Sequence, residues 1–406
     1  MSDVFLARQP IFDKNLQLAG YELLYRSNAM ATTAGGGDAM HMSSSTIVNS
    51  ILAIGLDDLI GDAKAWVNFP LAMLLERNFD LLDPKRCVIE LLETVPCDDE
   101  TITATQELHA LGFTIALDDF ASGPEYAPLL EMAHVIKLDV LGRGEQEIDA
   151  QIQTLGSYRA KLLAERIETA SQFAMCRRLG FQLFQGYYFS RPEIVQRRDL
   201  SPALAAIAQL MNKVLDPRVS EKELERIFRQ DPGLSLKLLK IVNTASMGGT
   251  GIESIAQAIR MVGRQVLHRW LALLMASSAP RANDMDKELI TRALERARMC
   301  EQLGELSGHK AVGPALFLTG LLSTIDVVLG LPMAELLQQV KVSVEVEGAL
   351  LHHEGPYTPY LQLATHWADG DWDRAMPLAD IMGVLGDVPE LYRSSCEWAR
   401  EVLAAA

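Results

Sequence analysis

The chain has 406 residues, 49% of them hydrophobic and 22% charged, a length and composition that suit two globular domains of about 200 residues each. Its formal net charge of -16 argues against a nucleic-acid polymer as partner, because duplex binding needs Lys and Arg to neutralise phosphates. A small phosphorylated ligand stays allowed, since a metal can supply the missing positive charge.

The opening segment MSDVFLARQPIFDKN lacks a basic region followed by an apolar run, and no apolar run reaches about 18 residues, so neither a signal peptide nor a membrane span is expected. Cys87, Cys97, Cys176, Cys300 and Cys396 lack paired ligand spacing and fit reduced thiols, mostly buried as small hydrophobes, in a cytoplasm. The first β-rich runs, VFLARQPIF and LQLAGYELLYR, are joined by Asp13-Lys14-Asn15, which is turn chemistry and predicts a hairpin. A polar loop follows from Ser27 to about Asp38. Its Gly35-Gly36-Gly37 lacks the Lys-Ser/Thr ending of a phosphate loop and reads as a flexible loop over a barrel mouth. The runs AWVNF, CVIELLE, FTIALDDF, VIKLDVL, AKLLAERIE and LFQGYYFS come next, with helix-length segments between the later ones. Ala104 to Leu111 is stopped by Gly112 and Ser171 to Leu179 by Gly180, while Thr169 and Gln172 form a capping-box pattern. Such alternation favours parallel βα units, in an open doubly wound sheet or a closed barrel.

Polar residues near the strand ends decide between the two. Read in order they are Glu22, Asn68, Glu90, the pair Asp118-Asp119, Lys137, Glu165 and Gln185. A doubly wound sheet places its ligand at one switch point, whereas here nearly every strand contributes, as at the top face of a barrel. An unpaired buried carboxylate costs roughly several kcal/mol, so the set needs partners: one or two hard cations and an anionic substrate. Glu22, Asn68, Glu90 and Asp118 are oxygen donors suited to Mg²⁺ or Mn²⁺. Asp118 and Asp119 can both reach the mouth only where their strand is ending, and adjacent aspartates then permit one carboxylate to be shared between two cations. Two metals would clamp the attacking and leaving oxygens of a phosphodiester. Glu165 would complete the second site or accept a proton from the attacking water, and Lys137 would orient that water or offset phosphate charge. Asp139 is expected to form a salt bridge or to pack, and His41, His109 and His134 to be structural.

Beyond Arg197-Arg198 the strand signals stop, placing the boundary at about residues 192 to 202. Ser220 with Glu223 opens one helix and Asp231-Pro232 separates it from the next, Leu234 to Ile241. Amphipathic stretches then run from Ile255 to Val262, Gln265 to Ala276, Asp286 to Leu306, Pro314 to Leu329 and Met333 to Val340, punctuated by Gly263, Gly308, Gly330-Leu331-Pro332 and Gly355-Pro356. His352 and His353 are neighbours, so they point to different sides of a helix and make poor joint ligands.

These motifs carry a resemblance. Glu22-Leu23-Leu24-Tyr25-Arg26 resembles the Glu-Ala-Leu-x-Arg signature of EAL domains, phosphodiesterases that open cyclic di-GMP to linear pGpG. Val67-Asn68, Glu90-Leu91-Leu92-Glu93-Thr94, Ala116-Leu117-Asp118-Asp119-Phe120, Ile136-Lys137-Leu138-Asp139, Ala164-Glu165-Arg166-Ile167-Glu168 and Gln185-Gly186-Tyr187 resemble that family's further motifs, in order, over about residues 3 to 195. The resemblance implies a TIM-like α/β barrel with a modified first strand, residues 1–195. It implies one metal on Glu22, Asn68, Glu90 and Asp118 and a second on Asp118, Asp119 and Glu165. It also implies Lys137 beside the nucleophilic water, Gln185 near the metals, Leu24 and Arg26 against the dinucleotide, and Glu93 bracing the loop after Asp119. Two departures stand out: Ala121-Ser122-Gly123-Pro124 replaces the usual Gly-x-Gly loop, and Arg166 replaces a glycine.

The second half, residues 200–395, resembles an HDOD domain, an all-helical relative of the HD phosphohydrolases. The likeness rests on Asp231-Pro232-Gly233-Leu234-Ser235, Leu238 to Asn243, Ile255 to Ile259 leading to Gly263, and Gly320-Leu321-Leu322. Where an HD enzyme places its His-Asp pair, this chain has Ser323-Thr324-Ile325-Asp326. A cyclic di-GMP phosphodiesterase whose helical half binds a protein partner is the first reading, with a homodimer through the barrel as a further implication. A catalytically inactive EAL–HDOD receptor or scaffold is the alternative.

Overall fold

The computed structural model describes residues 4–27, 56–118, 124–190, 202–216, 218–229, 255–277, 283–329, 331–340 and 342–405. Strands β1 (Val4–Asp13) and β2 (Leu18–Ser27) form the expected antiparallel hairpin. Its turn is fixed by the Asp13 carboxylate, which accepts the backbone N–H groups of Asn15 at 2.8 Å and Gln17 at 2.9 Å. A turn this tight permits only antiparallel pairing. Strands β3 (Ala65–Phe69), β4 (Cys87–Leu91), β5 (Thr114–Leu117), β6 (Val135–Asp139), β7 (Lys161–Glu165) and β8 (Leu183–Phe184) then pair in parallel, β3 against β2. Phe12 of β1 lies beside Phe184 of β8 and closes an eight-stranded barrel.

The alternation of side chains along each strand builds the barrel interior in layers. Ile11, Trp66, Val88, Ala116, Val135, Leu163 and Leu183 form one buried apolar cluster. Two residues along the same strands stand Gln9, Asn68, Glu90, Asp118, Lys137, Glu165 and Gln185. On β2 the corresponding pair is Gly20 and Glu22, and a Cβ on Gly20 would lie 2.7 Å from the Trp66 indole nitrogen, so Trp66 fills the glycine's place. A floor of hydrophobic side chains therefore carries a polar layer one pleat above it.

The connecting helices are set by their caps. Asp98 accepts the Thr101 N–H at 2.9 Å and starts a helix at Asp99–Ala110, ahead of the predicted Ala104, whereas Thr169 and Gln172 cap each other's backbone to start Ala170–Arg178 as the sequence predicts.

By internal contacts the chain groups into two compact units, residues 1–193 with 281–289 and 365–400, and residues 194–280 with 290–364 and 401–406. Within the first unit, Asp284 accepts the Leu18 N–H at 3.2 Å and Arg393 pairs with Asp58 at 3.0 Å. The second unit is helical. Ser220 caps Glu221–Arg229 by accepting the Glu223 N–H at 3.2 Å. The stretches predicted on either side of Gly263 form one helix, Ile255–Ser277, broken at that glycine with φ of 76°. Arg264 then donates to the carbonyl of Val214 in the last turn of the helix Pro202–Leu215 and to those of Asp216 and Val219 beyond it. Helix Gly313–Leu329 approaches Asp284–Leu306 so closely at Gly320 that a Cβ there would sit 2.5 Å from the Arg296 carbonyl oxygen.

Lys310–Leu329 is, by length and composition, long and apolar enough to cross a membrane, which corrects the expectation that no such run exists. Most of it is buried, including Asp326, as in a core helix. The glycine-rich loop, His41, the Ala121-Ser122-Gly123 segment and residues 231–254 lie outside the described residues, as does most of the expected boundary at 192–202.

Candidate functional site at the barrel mouth

Lys137 is the centre of the polar layer. It is 1% exposed, and its ammonium pairs with Glu165 at 2.7 Å, Asp118 at 3.3 Å, Glu22 at 3.4 Å, and Glu90. Asn68 donates to Glu22 at 3.0 Å, and Gln185 donates to the other oxygen of Glu22 at 2.7 Å and to Gln9 at 2.8 Å. Glu22, Asn68, Glu90, Asp118, Lys137, Glu165 and Gln185 thus come together. Asp118 stands just past β5, its N–H donating to the Leu91 carbonyl at 2.9 Å.

Four carboxylates face one ammonium, and the acid groups respond unequally. Burial opposes the charge of Glu22, but Lys137, helped by Gln185 and Asn68, holds its pKa below the usual range. Glu90 is pushed up to about 8, first by burial and then by the charge of Glu22, with Lys137 opposing and Asp118 adding. Glu165 is raised well above the carboxylate range by burial and by Asp118, Glu22 and Glu90, against the pull of Lys137. Asp118 is raised too, by burial and Glu22. Burial alone would lower Lys137; its surrounding carboxylates raise it well above an ordinary lysine.

The donor set fits a hard divalent cation. Oxygens of Glu22, Glu90 and Glu165 lie within 4.8 Å of one another. Glu90 Oε2, Asn68 Oδ1 and Gln185 Oε1 are buried without a hydrogen-bond partner, each a group that costs about 1–3 kcal/mol to leave unsatisfied. Oxygen atoms in such an arrangement are what a hard divalent cation takes.

Local backbone shapes the mouth. Gly186 follows Gln185 with φ of 148°, and a Cβ there would lie 2.2 Å from the Ile167 nitrogen. The glycine lets Ile167 N–H donate to the Gln185 carbonyl at 3.1 Å, tying the end of β8 to the chain beyond β7. Arg166 takes a left-handed φ of 56°, which accounts for a glycine being the resembling residue there. Its guanidinium points outward to Asp139 at 2.7 Å, so Asp139 is the salt-bridge residue expected.

Other predicted residues fall differently. Glu93 is exposed, and Leu24 is half-buried one pleat beyond Glu22. Asp119 and the side chain of Arg26 lie outside the described residues. His134 Nδ1 accepts the Ile115 N–H at 3.1 Å and its ring stacks on His109, a structural arrangement. Gln9 belongs to the polar layer although nothing in its immediate sequence marks it. Its one legible signal is the hairpin register, which sets it opposite Glu22.

In the helical unit Arg296 donates to the hydroxyls of Ser323 at 3.2 Å and Thr324 at 2.9 Å. A guanidinium therefore contacts Ser323-Thr324, the segment that by resemblance stands in place of a His-Asp pair. His352 and His353 are both exposed, and His353 has a left-handed φ of 55° at a helix end.

The EAL domain model matches residues 68–192 and the HDOD domain model residues 200–354. The cyclic di-GMP phosphodiesterase CdgJ of Vibrio cholerae is 32% identical over 99% of this chain and 94% of its own length. The uncharacterised protein YuxH of Bacillus subtilis is 33% identical over 99% of each chain. Among solved structures, the Klebsiella pneumoniae BlrP1 calcium/cy-diGMP complex covers 47% of this chain and 55% of its own, with 23% identity and a TM-score of 0.38. With the likeness to CdgJ running along nearly the whole of both chains, the protein belongs to the family in which an EAL domain is joined to an HDOD domain.

Proposed function

We propose that the chain binds cyclic di-GMP at the barrel mouth and hydrolyses one of its phosphodiesters to give pGpG. The observation that carries the reading is the ring of carboxylates with orphaned buried oxygens around Lys137. Glu22, Asn68, Glu90 and Asp118 would hold one Mg²⁺ or Mn²⁺, and Asp118, Asp119 and Glu165 a second. Bound cations would polarise the scissile phosphate and offset its charge.

The remaining work falls to side chains. Glu165 takes the proton of the attacking water. Lys137, 2.7 Å from Glu165, fixes that carboxylate and offsets phosphate charge. Gln185 and Asn68 orient the two oxygens of Glu22. Leu24 and Arg26 contact the dinucleotide, and Glu93 braces the loop that follows Asp119.

The same reading takes residues 1–195 as the catalytic domain and 200–395 as a protein-binding output module. It places the protein in the cytoplasm as a homodimer through the barrel, with no nucleic-acid polymer or membrane as partner. The test is incubation with cyclic di-GMP and Mn²⁺, scored for pGpG, beside binding measured in Ca²⁺. Binding without turnover refutes hydrolysis and leaves a receptor; no binding refutes both.

A further inference from the structure

The compact unit that contains the barrel also contains residues 365–400, far along the chain. Two features show where part of that segment lies. Arg393 and Arg400 reach Asp58 and the Asp57 carbonyl beside helix Leu56–Ile60. The turn between helices Thr358–Ala368 and Trp372–Ile381 comes against Leu24: a Cβ on Gly370 would lie 2.5 Å from Leu24 Cδ1, 3.4 Å from its Cβ and 3.6 Å from its Cγ.

Leu24 shares a strand face with Glu22 and stands one pleat further toward the mouth, since side chains two apart on a strand point the same way. It is paired with Ala7 of β1. The Leu24 side chain occupies the space left by the missing Cβ of Gly370. The turn itself is held by Asp371, which pairs with His366 at 3.2 Å and Arg374 at 3.3 Å.

We propose that Gly370 is a positioning residue for the nucleotide site, so that the turn 369–371 forms part of the rim and sets ligand affinity through Leu24. This rests on the reading of Leu24 as a residue that contacts cyclic di-GMP. Any side chain at position 370 would force the Leu24 side chain out of its present position.

The experiment uses the full chain with Gly370→Ala, Leu24→Ala and the double variant, with cyclic di-GMP binding in Ca²⁺ and melting temperature as readouts. Gly383→Ala is the control, because Gly383 has nearly the same left-handed φ, 68° against 70°, with nothing within 4 Å of its would-be Cβ. Gly370→Ala is expected to weaken binding roughly tenfold, as overpacking at a tight contact does. It should also lower the melting temperature more than Gly383→Ala, and should change affinity no further once Leu24 is alanine. Unchanged affinity in Gly370→Ala overturns the inference and leaves the functional reading intact, as does an equal loss in the Leu24→Ala background. A wild-type chain that binds no cyclic di-GMP overturns both, even if the melting temperatures still report the packing.

Discussion

Glu90 makes the electrostatics of the mouth measurable. Its carboxyl is 0% exposed and pushed up to about 8, from a reference of 4.5. Between those values the folded chain holds a proton that the unfolded chain has released. The stabilising contribution is therefore fully present below about pH 4.5 and is lost as pH rises toward about 8. At about 1.36 kcal/mol per pH unit, the interval from 4.5 to about 8 sets a ceiling of about 5 kcal/mol on the loss. Glu90→Gln keeps the side-chain shape and the oxygen that accepts from Lys137, but cannot ionise. In urea unfolding with a chelator present, the variant should gain on the wild type by several kcal/mol, roughly, between the acid and alkaline ends of that window. Mn²⁺ should reverse the ranking at the alkaline end, because the wild-type carboxylate is then a ligand and ligand binding to the folded state stabilises it. A difference between the two proteins that is flat with pH in chelator, or that moves toward the wild type as pH rises, refutes the reasoning.

Glu165→Gln should abolish pGpG formation and retain most of the affinity for cyclic di-GMP in Ca²⁺; turnover at the wild-type rate would remove Glu165 from the mechanism. Lys137→Met leaves Glu22 and the acid groups around it without their ammonium and should cost roughly 3–5 kcal/mol in chelator. Mn²⁺ should then stabilise this variant more than it does the wild type, and equal gains in thermal unfolding would count against the electrostatic account. Gly186→Ala drives a Cβ to 2.2 Å from the Ile167 nitrogen and should lose at least about 3 kcal/mol, or fail to fold. A melting temperature like that of the wild type would show that the chain beyond β7 yields without cost.

The barrel was legible because its information is local. Each strand carries its site residue two positions from an apolar one, so Trp66 and Asn68, Val88 and Glu90, or Val135 and Lys137 declare both a buried layer and the chemistry above it. Caps such as Thr169 with Gln172 are written within a few residues of the helix they start. Gln9 escaped notice because its membership depends on pairing with another strand, which no property of the segment VFLARQPIF reports. Gly370 and Leu24 lie still further apart in the chain, and a close approach between such residues leaves no trace in either segment. The break at Gly263 was legible as punctuation; that the helix resumes at once, with Arg264 on the carbonyls after Pro202–Leu215, was not.

The reversed direction of β1 has a practical consequence. In a barrel of uniformly parallel strands every strand enters at the floor, but Val4 of β1 is paired with Ser27 at the end of β2, and Asp13 with Leu183 at the start of β8. A tag or fluorescent reporter joined ahead of Val4 is thus delivered beside the opening through which ligand must pass. Such a fusion would obstruct entry if bulky, and with a short linker would serve as a gauge of whether the opening is filled.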